Sequence, residues 1–218
     1  MDAKHQAVIF DMDGVLVDSE PVHFRSTVRV MRDQFGIAFT EADNREFLGS
    51  TDRHMWEVLR QRHGLPLTVE ELTRRRKEVY LRLLGEGLPW RDGIRPLIAD
   101  LAAAGYRLAV ASSGLRRIIE HVLDDGGVRC HFEAVVTADD IPTPKPAPDI
   151  YLEAARRLGL EPSQCVAVED TDVGVRAAKT AGMYVIAFPT MTTAAMDFGV
   201  ADLVADGSAA IRAELLGR

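Results

Sequence analysis

Ala7-Val8-Ile9-Phe10-Asp11-Met12-Asp13-Gly14-Val15-Leu16-Val17-Asp18-Ser19 begins as four apolar residues without alternation and then turns acidic, with two carboxylates ahead of a glycine. Continuous hydrophobicity over so short a run predicts a strand covered on both faces, as parallel strands are. Five further runs of this kind occur, at Arg107–Ala111, Ala134–Thr137, Cys165–Val168, Tyr184–Phe188 and Asp202–Ala205. Between them the apolar period is helical. Ile94, Leu97, Ile98 and Leu101 form one stripe that ends before Gly105; Leu115, Ile118, Ile119 and Val122 form another that ends at Gly126-Gly127; and Tyr151, Ala154, Ala155 and Leu158 form a third that stops at Gly159. Strands alternating with helices of this length predict an α/β fold with a doubly wound parallel sheet.

The stretch from about Val15 to Leu88 breaks the alternation. It holds no strand pattern, only the helical sets Phe24/Val28/Met31/Phe35, Met55/Leu59 and Leu72/Val79/Leu83. An inserted α-helical domain over residues 16–88 is therefore expected, with residues 1–15 and 89–218 forming the core. It leaves the first strand directly and returns at Pro89-Trp90-Arg91-Asp92-Gly93. That connection should place it over the carboxyl end of the strand, the edge at which open α/β sheets bind ligands, as a lid able to open and close.

Composition narrows the function. In 218 residues, 47% hydrophobic and 27% charged, there is ample material for a core, and the net charge of −7 gives no electrostatic footprint for nucleic acid or an anionic membrane. Any anionic substrate must be held by local cations. The opening residues show neither a signal peptide nor a membrane span, so the chain is expected to be mature as written. Two cysteines, Cys130 and Cys165, are too few for a disulfide framework and are expected to pack as small hydrophobes in a reducing cytoplasm.

Four segments carry chemistry. Asp13-Gly14 alone would make a good turn, and Asp11-x-Asp13 fails as a calcium loop because Val15 and Leu16 stand where that loop needs a polar ligand and a glycine. Ser112-Ser113-Gly114 follows the second strand and opens a helix, offering hydroxyls and backbone N–H groups to a phosphate, or merely a cap. Thr143-Pro144-Lys145-Pro146-Ala147-Pro148-Asp149 holds a single lysine in a proline-stiffened loop, where a solvated lysine would not need the rigidity. Glu169-Asp170-Thr171-Asp172 leaves the fourth strand; helix capping accounts for Asp172 but poorly for Glu169 and Asp170. Carboxylates gathered at one sheet edge repel one another unless they share a hard cation such as magnesium, which also accepts phosphate oxygen. With a hydroxyl and a lysine beside them, one aspartate can attack phosphorus while a second moves protons.

Asp11-x-Asp13, Ser112, Lys145-Pro146 and Glu169-Asp170, in this order and with a helical insertion after the first, resemble the haloacid dehalogenase superfamily over essentially the whole chain. The segments around Asp11 and Lys145 resemble its branch of β-phosphoglucomutases and small sugar-phosphate phosphatases. The resemblance implies a Rossmann-like core with a helical cap. It implies Asp11 as nucleophile, Asp13 as general acid and base, and Mg2+ held by Asp11, the Asp13 backbone carbonyl and Asp170, with Glu169 near or on the metal. It also implies that Ser112, Ser113 and Lys145 bind the phosphoryl group. Dehalogenases of the superfamily need no second aspartate, so Asp13 favours phosphoryl chemistry. The phosphonate-cleaving relatives use a lysine directly after the first motif, and Asp18-Ser19-Glu20-Pro21-Val22-His23 has none.

Substrate choice is expected in the insertion, at Glu20, His23, Gly49, Arg53, Arg76 and Lys77. Adjacent charges in Arg74-Arg75-Arg76-Lys77 cannot all point inward, so a solvated face is the plain alternative, though one of them can turn in. The mutases carry an arginine soon after the cap glycine. This chain aligns Asp52 there, with Arg53 one place later, which weakens the hold on a second phosphate. A magnesium-dependent phosphatase of a small sugar or polyol phosphate is therefore the expectation, with the mutase as alternative and a non-catalytic phosphate-binding module as the reading of another class. The expected partner is a small phosphorylated molecule, with no nucleic acid and no membrane, bound by a monomer.

Overall fold

The computed structural model describes residues 5–47, 51–84 and 87–217. The chain forms two compact units, residues 1–18 with 89–218, and residues 19–88. The first unit keeps Leu16, Val17 and Asp18, which the sequence analysis assigned to the insertion. The reason is a short ladder: Val17 bridges both Asp13 and Trp90, and the Asp18 N–H donates to the Pro89 carbonyl at 2.8 Å.

Among the described residues the first unit is built on six parallel strands, β1 (Ala7–Phe10), β2 (Arg107–Ser112), β3 (Phe132–Thr137), β4 (Cys165–Glu169), β5 (Tyr184–Ala187) and β6 (Leu203–Val204), in the order β3-β2-β1-β4-β5-β6. This is the doubly wound sheet expected from the continuous apolar runs. β6 is shorter than expected because it pairs along only two residues at the sheet edge, where Val204 is exposed. Successive residues point to opposite faces. Ala7, Ile9, Ala109, Ala111, Ala134, Ala167 and Ala187 lie in one buried cluster with residues of α7 (Asp149–Arg157) and α8 (Asp172–Thr180), and the small alanines among them let the helices approach closely. α5 (Ile94–Ala103) packs on α9 (Ser208–Leu216), and α6 (Arg116–Asp125) follows β2. Cys165 is buried as expected, but Cys130 is exposed because it lies in a single 3-10 turn at 129–131 rather than in β3.

The central position of β1 decides where a site can form. Phe10 pairs with Val110 on one side and Val168 on the other, so Asp11, Ala111 and Glu169 stand level at the carboxyl ends of three adjacent strands. The chain crosses from β3 to β4 past β1, which is the switch of strand order where such sheets leave a crevice.

The second unit holds α1 (Glu20–Phe35), α2 (Glu41–Arg45), α3 (Asp52–His63) and α4 (Val69–Leu84). α4 packs on both α1 and α3. The buried face of α1 runs through Val22, Ser26, Thr27, Val30 and Met31, keeping Met31 of the expected stripe but not Phe24, Val28 or Phe35. Ser26 and Thr27 tolerate burial because both hydroxyls donate to the His23 carbonyl, at 2.6 and 3.3 Å, which spares them an unmade hydrogen bond. Phe24 instead packs beside the Phe39 ring. No helix among the described residues is long and apolar enough to cross a membrane.

Candidate active site

Asp11 continues β1, its N–H bonded to the Val168 carbonyl at 3.0 Å, and its side chain is buried. Lys145 reaches it from the proline-rich loop. The Lys145 Nζ donates to Asp11 Oδ1 at 2.7 Å, to Glu169 Oε1 at 2.5 Å and to the Ala111 carbonyl at 3.2 Å. One ammonium thus ties together the ends of β1, β2 and β4. Ser112, the last residue of β2, is buried with its Oγ accepting the Gly114 N–H at 3.1 Å, while Ser113 is exposed.

Glu169 is saturated by the protein. Its Oε1 accepts from Lys145 and from the Tyr151 hydroxyl at 2.8 Å; its Oε2 accepts the Asp170 N–H at 3.1 Å, the Thr171 N–H at 3.4 Å and the Thr171 hydroxyl at 3.2 Å. Five donors on one carboxylate fill its accepting capacity. Two glycines make room for the acids. A Cβ at Gly14, whose φ is +79°, would overlap the Asp170 carboxylate, and a Cβ at Gly174 would overlap that of Glu169. A glycine inside α8 costs about 1 kcal/mol relative to alanine, so Gly174 was a legible signal that sequence reasoning passed over.

The electrostatics follow from packing acids together. Burial, reinforced by Glu169 and Asp13 and only partly opposed by Lys145, pushes Asp11 up to about 7. Burial together with Asp11, Glu169 and Asp13 pushes Asp170 up to about 8. Burial pulls Lys145 down, but Asp11 and Glu169 outweigh it and hold the ammonium well above the ordinary lysine range. Asp11, Glu169 and Asp170 each offer an oxygen within 4.8 Å of the others. This all-oxygen set, at odds with itself when alone, fits a hard divalent cation.

Asp11, Lys145, Glu169 and Asp170 therefore meet at one sheet edge, as the order of the strands required. Residues 8–188 match the family described as haloacid dehalogenase-like hydrolases. The chain belongs to that family. Among relatives of this hydrolase, a phosphorylated carbohydrates phosphatase of Thermotoga maritima is 32% identical over 95% of the chain and 91% of its own length. A fructose-1-phosphate phosphatase of Escherichia coli is 33% identical over 83% of the chain and 94% of its own. The crystal structure of CbbY from Rhodobacter sphaeroides in complex with phosphate superposes with a TM-score of 0.73, at 32% identity, covering 93% of this chain and 94% of that one.

The expected residues of the helical unit separate into two groups. Arg76 lies on the buried stripe of α4, ion-paired to Asp52, and its Nη2 meets His23 Nδ1 at 2.6 Å. His23 stacks on Tyr80 with ring centroids 4.3 Å apart. Burial and the Arg76 charge hold His23 down at about 4, so it is neutral; a guanidinium only donates, so Nδ1 accepts and the ring proton sits on Nε2. Glu20, at the start of α1, accepts from Asn44 Nδ2 at 3.3 Å. By contrast Arg53 is exposed and paired with Glu57 and Glu70, and Lys77 is exposed. Gly49 lies outside the described residues. Of the basic run, Arg74 and Arg75 both pair with Glu71, and only Arg76 turns inward. Besides Gly174, the sequence reading missed Tyr151, taken as core because its ring is, and Arg91, taken as part of a linker. The Arg91 guanidinium donates to the Gly14, Phe188 and Pro189 carbonyls.

Proposed function

We propose that this hydrolase is a magnesium-dependent phosphatase that releases phosphate from a small phosphorylated sugar or polyol through an aspartyl-phosphate on Asp11. The observation that carries the reading is Asp11 itself, a buried carboxylate at the end of the central strand with a charged lysine 2.7 Å from one oxygen. A site that only bound phosphate would have no use for a carboxylate there, since it would repel the ligand. An Asp11 oxygen forms the bond to phosphorus as the ester P–O bond breaks. Asp13 gives its proton to the departing alkoxide, then takes one from the water that hydrolyses the acyl phosphate and restores Asp11. Ser112, Ser113 and Lys145 hold phosphoryl oxygens.

Magnesium would be held by Asp11, Asp170 and the Asp13 backbone carbonyl. When bound it offsets the negative charge of nucleophile and phosphate. Glu169 would stand at the edge of that ligand set, its oxygens shared with protein donors, and orients Lys145. Two relatives named as phosphatases of phosphorylated carbohydrates support the substrate class. In the helical unit, Glu20, His23 and Arg76 are the residues proposed to select the substrate; Arg53 and Lys77 fit a solvated face. Asp52 favours hydrolysis over phosphosugar mutation, because it neutralises the buried Arg76 charge that a second phosphate would seek.

The test is phosphate release from para-nitrophenyl phosphate and a panel of sugar and polyol phosphates, with magnesium and with a chelator, beside isomerisation of β-glucose 1-phosphate. Release should need magnesium and fall to background in Asp11→Asn. A folded Asp11→Asn protein with substantial turnover would remove Asp11 from the nucleophile role. Isomerisation faster than hydrolysis would make the mutase the better reading, and no turnover at all would leave a binding module.

A further inference from the structure

We infer that Arg91 is a positioning residue of the reaction: its guanidinium clamps the turn that carries Asp13 to the end of β5, and so fixes where Asp13 delivers its proton. The inference rests on Asp13 acting as the general acid. The turn is already compact. The Met12 carbonyl accepts the N–H groups of Val15, Leu16 and Val17 at 3.3, 2.9 and 3.1 Å, and the Gly14 N–H donates to the Val17 carbonyl at 2.8 Å. These bonds shape the turn, and Val17 and Asp18 tie its far end to Trp90 and Pro89. Arg91 supplies the attachment to the end of β5. Its Nη1 donates to the Gly14 carbonyl and, at 2.9 Å, to that of Phe188, while Nη2 donates to the Pro189 carbonyl at 3.0 Å. The guanidinium carbon lies 3.5 Å from the centroid of the Phe188 ring, and the Arg91 backbone N–H donates to Leu16 at 3.0 Å.

The anchor at the far side is firm, because the Phe188 N–H donates to the Glu169 carbonyl at 2.6 Å. A continuous path therefore runs from Glu169 through Phe188 and Arg91 to Gly14, whose Cα faces the Asp170 carboxylate. Only arginine fits the position. Its planar fork reaches separate carbonyls while stacking on an aromatic ring, whereas a lysine ammonium is a compact point charge that cannot do both.

The readout that separates positioning from mere folding is the leaving group. An alkoxide leaving a sugar or polyol phosphate needs a proton in the transition state, while para-nitrophenolate departs without one. Because Asp13 also serves the later hydrolysis of the acyl phosphate, which both substrates share, the comparison is made in kcat/KM, which reports the steps through departure of the leaving group: Arg91→Gln should lose on the order of 10–100-fold on the sugar or polyol phosphate that the wild type hydrolyses fastest, but only about threefold or less on para-nitrophenyl phosphate. Arg91→Lys should fall between Arg91→Gln and wild type, and it carries the same comparison if Arg91→Gln does not fold. Combining either change with Asp13→Asn should add little to Asp13→Asn alone, since both act on one proton transfer. Equal losses of kcat/KM on both substrates, or fully additive effects with Asp13→Asn, would overturn the inference. A wild type that hydrolyses neither substrate would instead overturn the phosphatase reading and the inference with it.

Discussion

The metal-free protein should lose stability as the pH rises from about 5 to about 8, contrary to a protein whose carboxylates sit in stabilising pairs. Asp11 at about 7 and Asp170 at about 8 in the fold compare with an ordinary aspartate value of 3.8. Their folded values are raised, so the folded state binds protons that the unfolded chain has released. That stabilisation is complete below about pH 4 and is lost as the pH climbs through the folded values. Between about pH 5 and the folded values of about 7 and about 8 lie about 2 and about 3 pH units, so at about 1.4 kcal/mol per unit one such carboxyl loses on the order of 3–4 kcal/mol over that span. For a chain of this length that corresponds to roughly 6–16 °C in the unfolding midpoint. The assay is thermal unfolding in chelator between about pH 5 and about pH 8. Trp90 serves as the probe of the first unit in a Trp56→Phe background, because the two tryptophans fall one in each unit. Other groups titrate in this window, so the decisive comparison is Asp170→Asn. It should match the parent at low pH, exceed it at high pH and show a flatter slope. Magnesium should stabilise the parent most at high pH, where the ligands are free of protons, and Asp170→Asn hardly at all. A midpoint that holds steady or rises between low and high pH in chelator, or an Asp170→Asn protein with the parent's slope, would refute the reasoning.

Two further outcomes follow from single contacts. Tyr151→Phe removes one of the two donors on Glu169 Oε1, a buried hydrogen bond to a charged group, and should cost about 1–3 kcal/mol in denaturant unfolding while lowering kcat; an unchanged midpoint would show that Lys145 and the donors on Oε2 hold Glu169 without it. Arg76→Met should raise the His23 pKa from about 4 without returning it to the ordinary 6.5, since burial remains the larger cause; NMR titration of the imidazole checks this.

What was legible in the sequence was what repeats or what costs something. Continuous apolar runs disclosed the strands because a run without alternation has little use except burial on both faces, and their order then forced Asp11, Ala111 and Glu169 to one edge. Acids at strand ends were legible because nothing about a strand requires them. Arg91 was not, since a guanidinium in a linker looks the same whether it meets water or three carbonyls; its partners lie 77, 97 and 98 residues away in the chain. Tyr151 hid in an apolar stripe because its ring belongs there and only its hydroxyl does not. Period alone also misplaced the buried face of α1, where Ser26 and Thr27 bury hydroxyls that the backbone one turn earlier satisfies. Arg76 combines both limits. It occupies the apolar stripe of α4 between Leu72 and Val79, and among four adjacent cations only the partners Asp52 and His23, contributed by α3 and α1, single it out. A buried cation becomes visible only with its counter-charge, and the sequence places that charge on another helix.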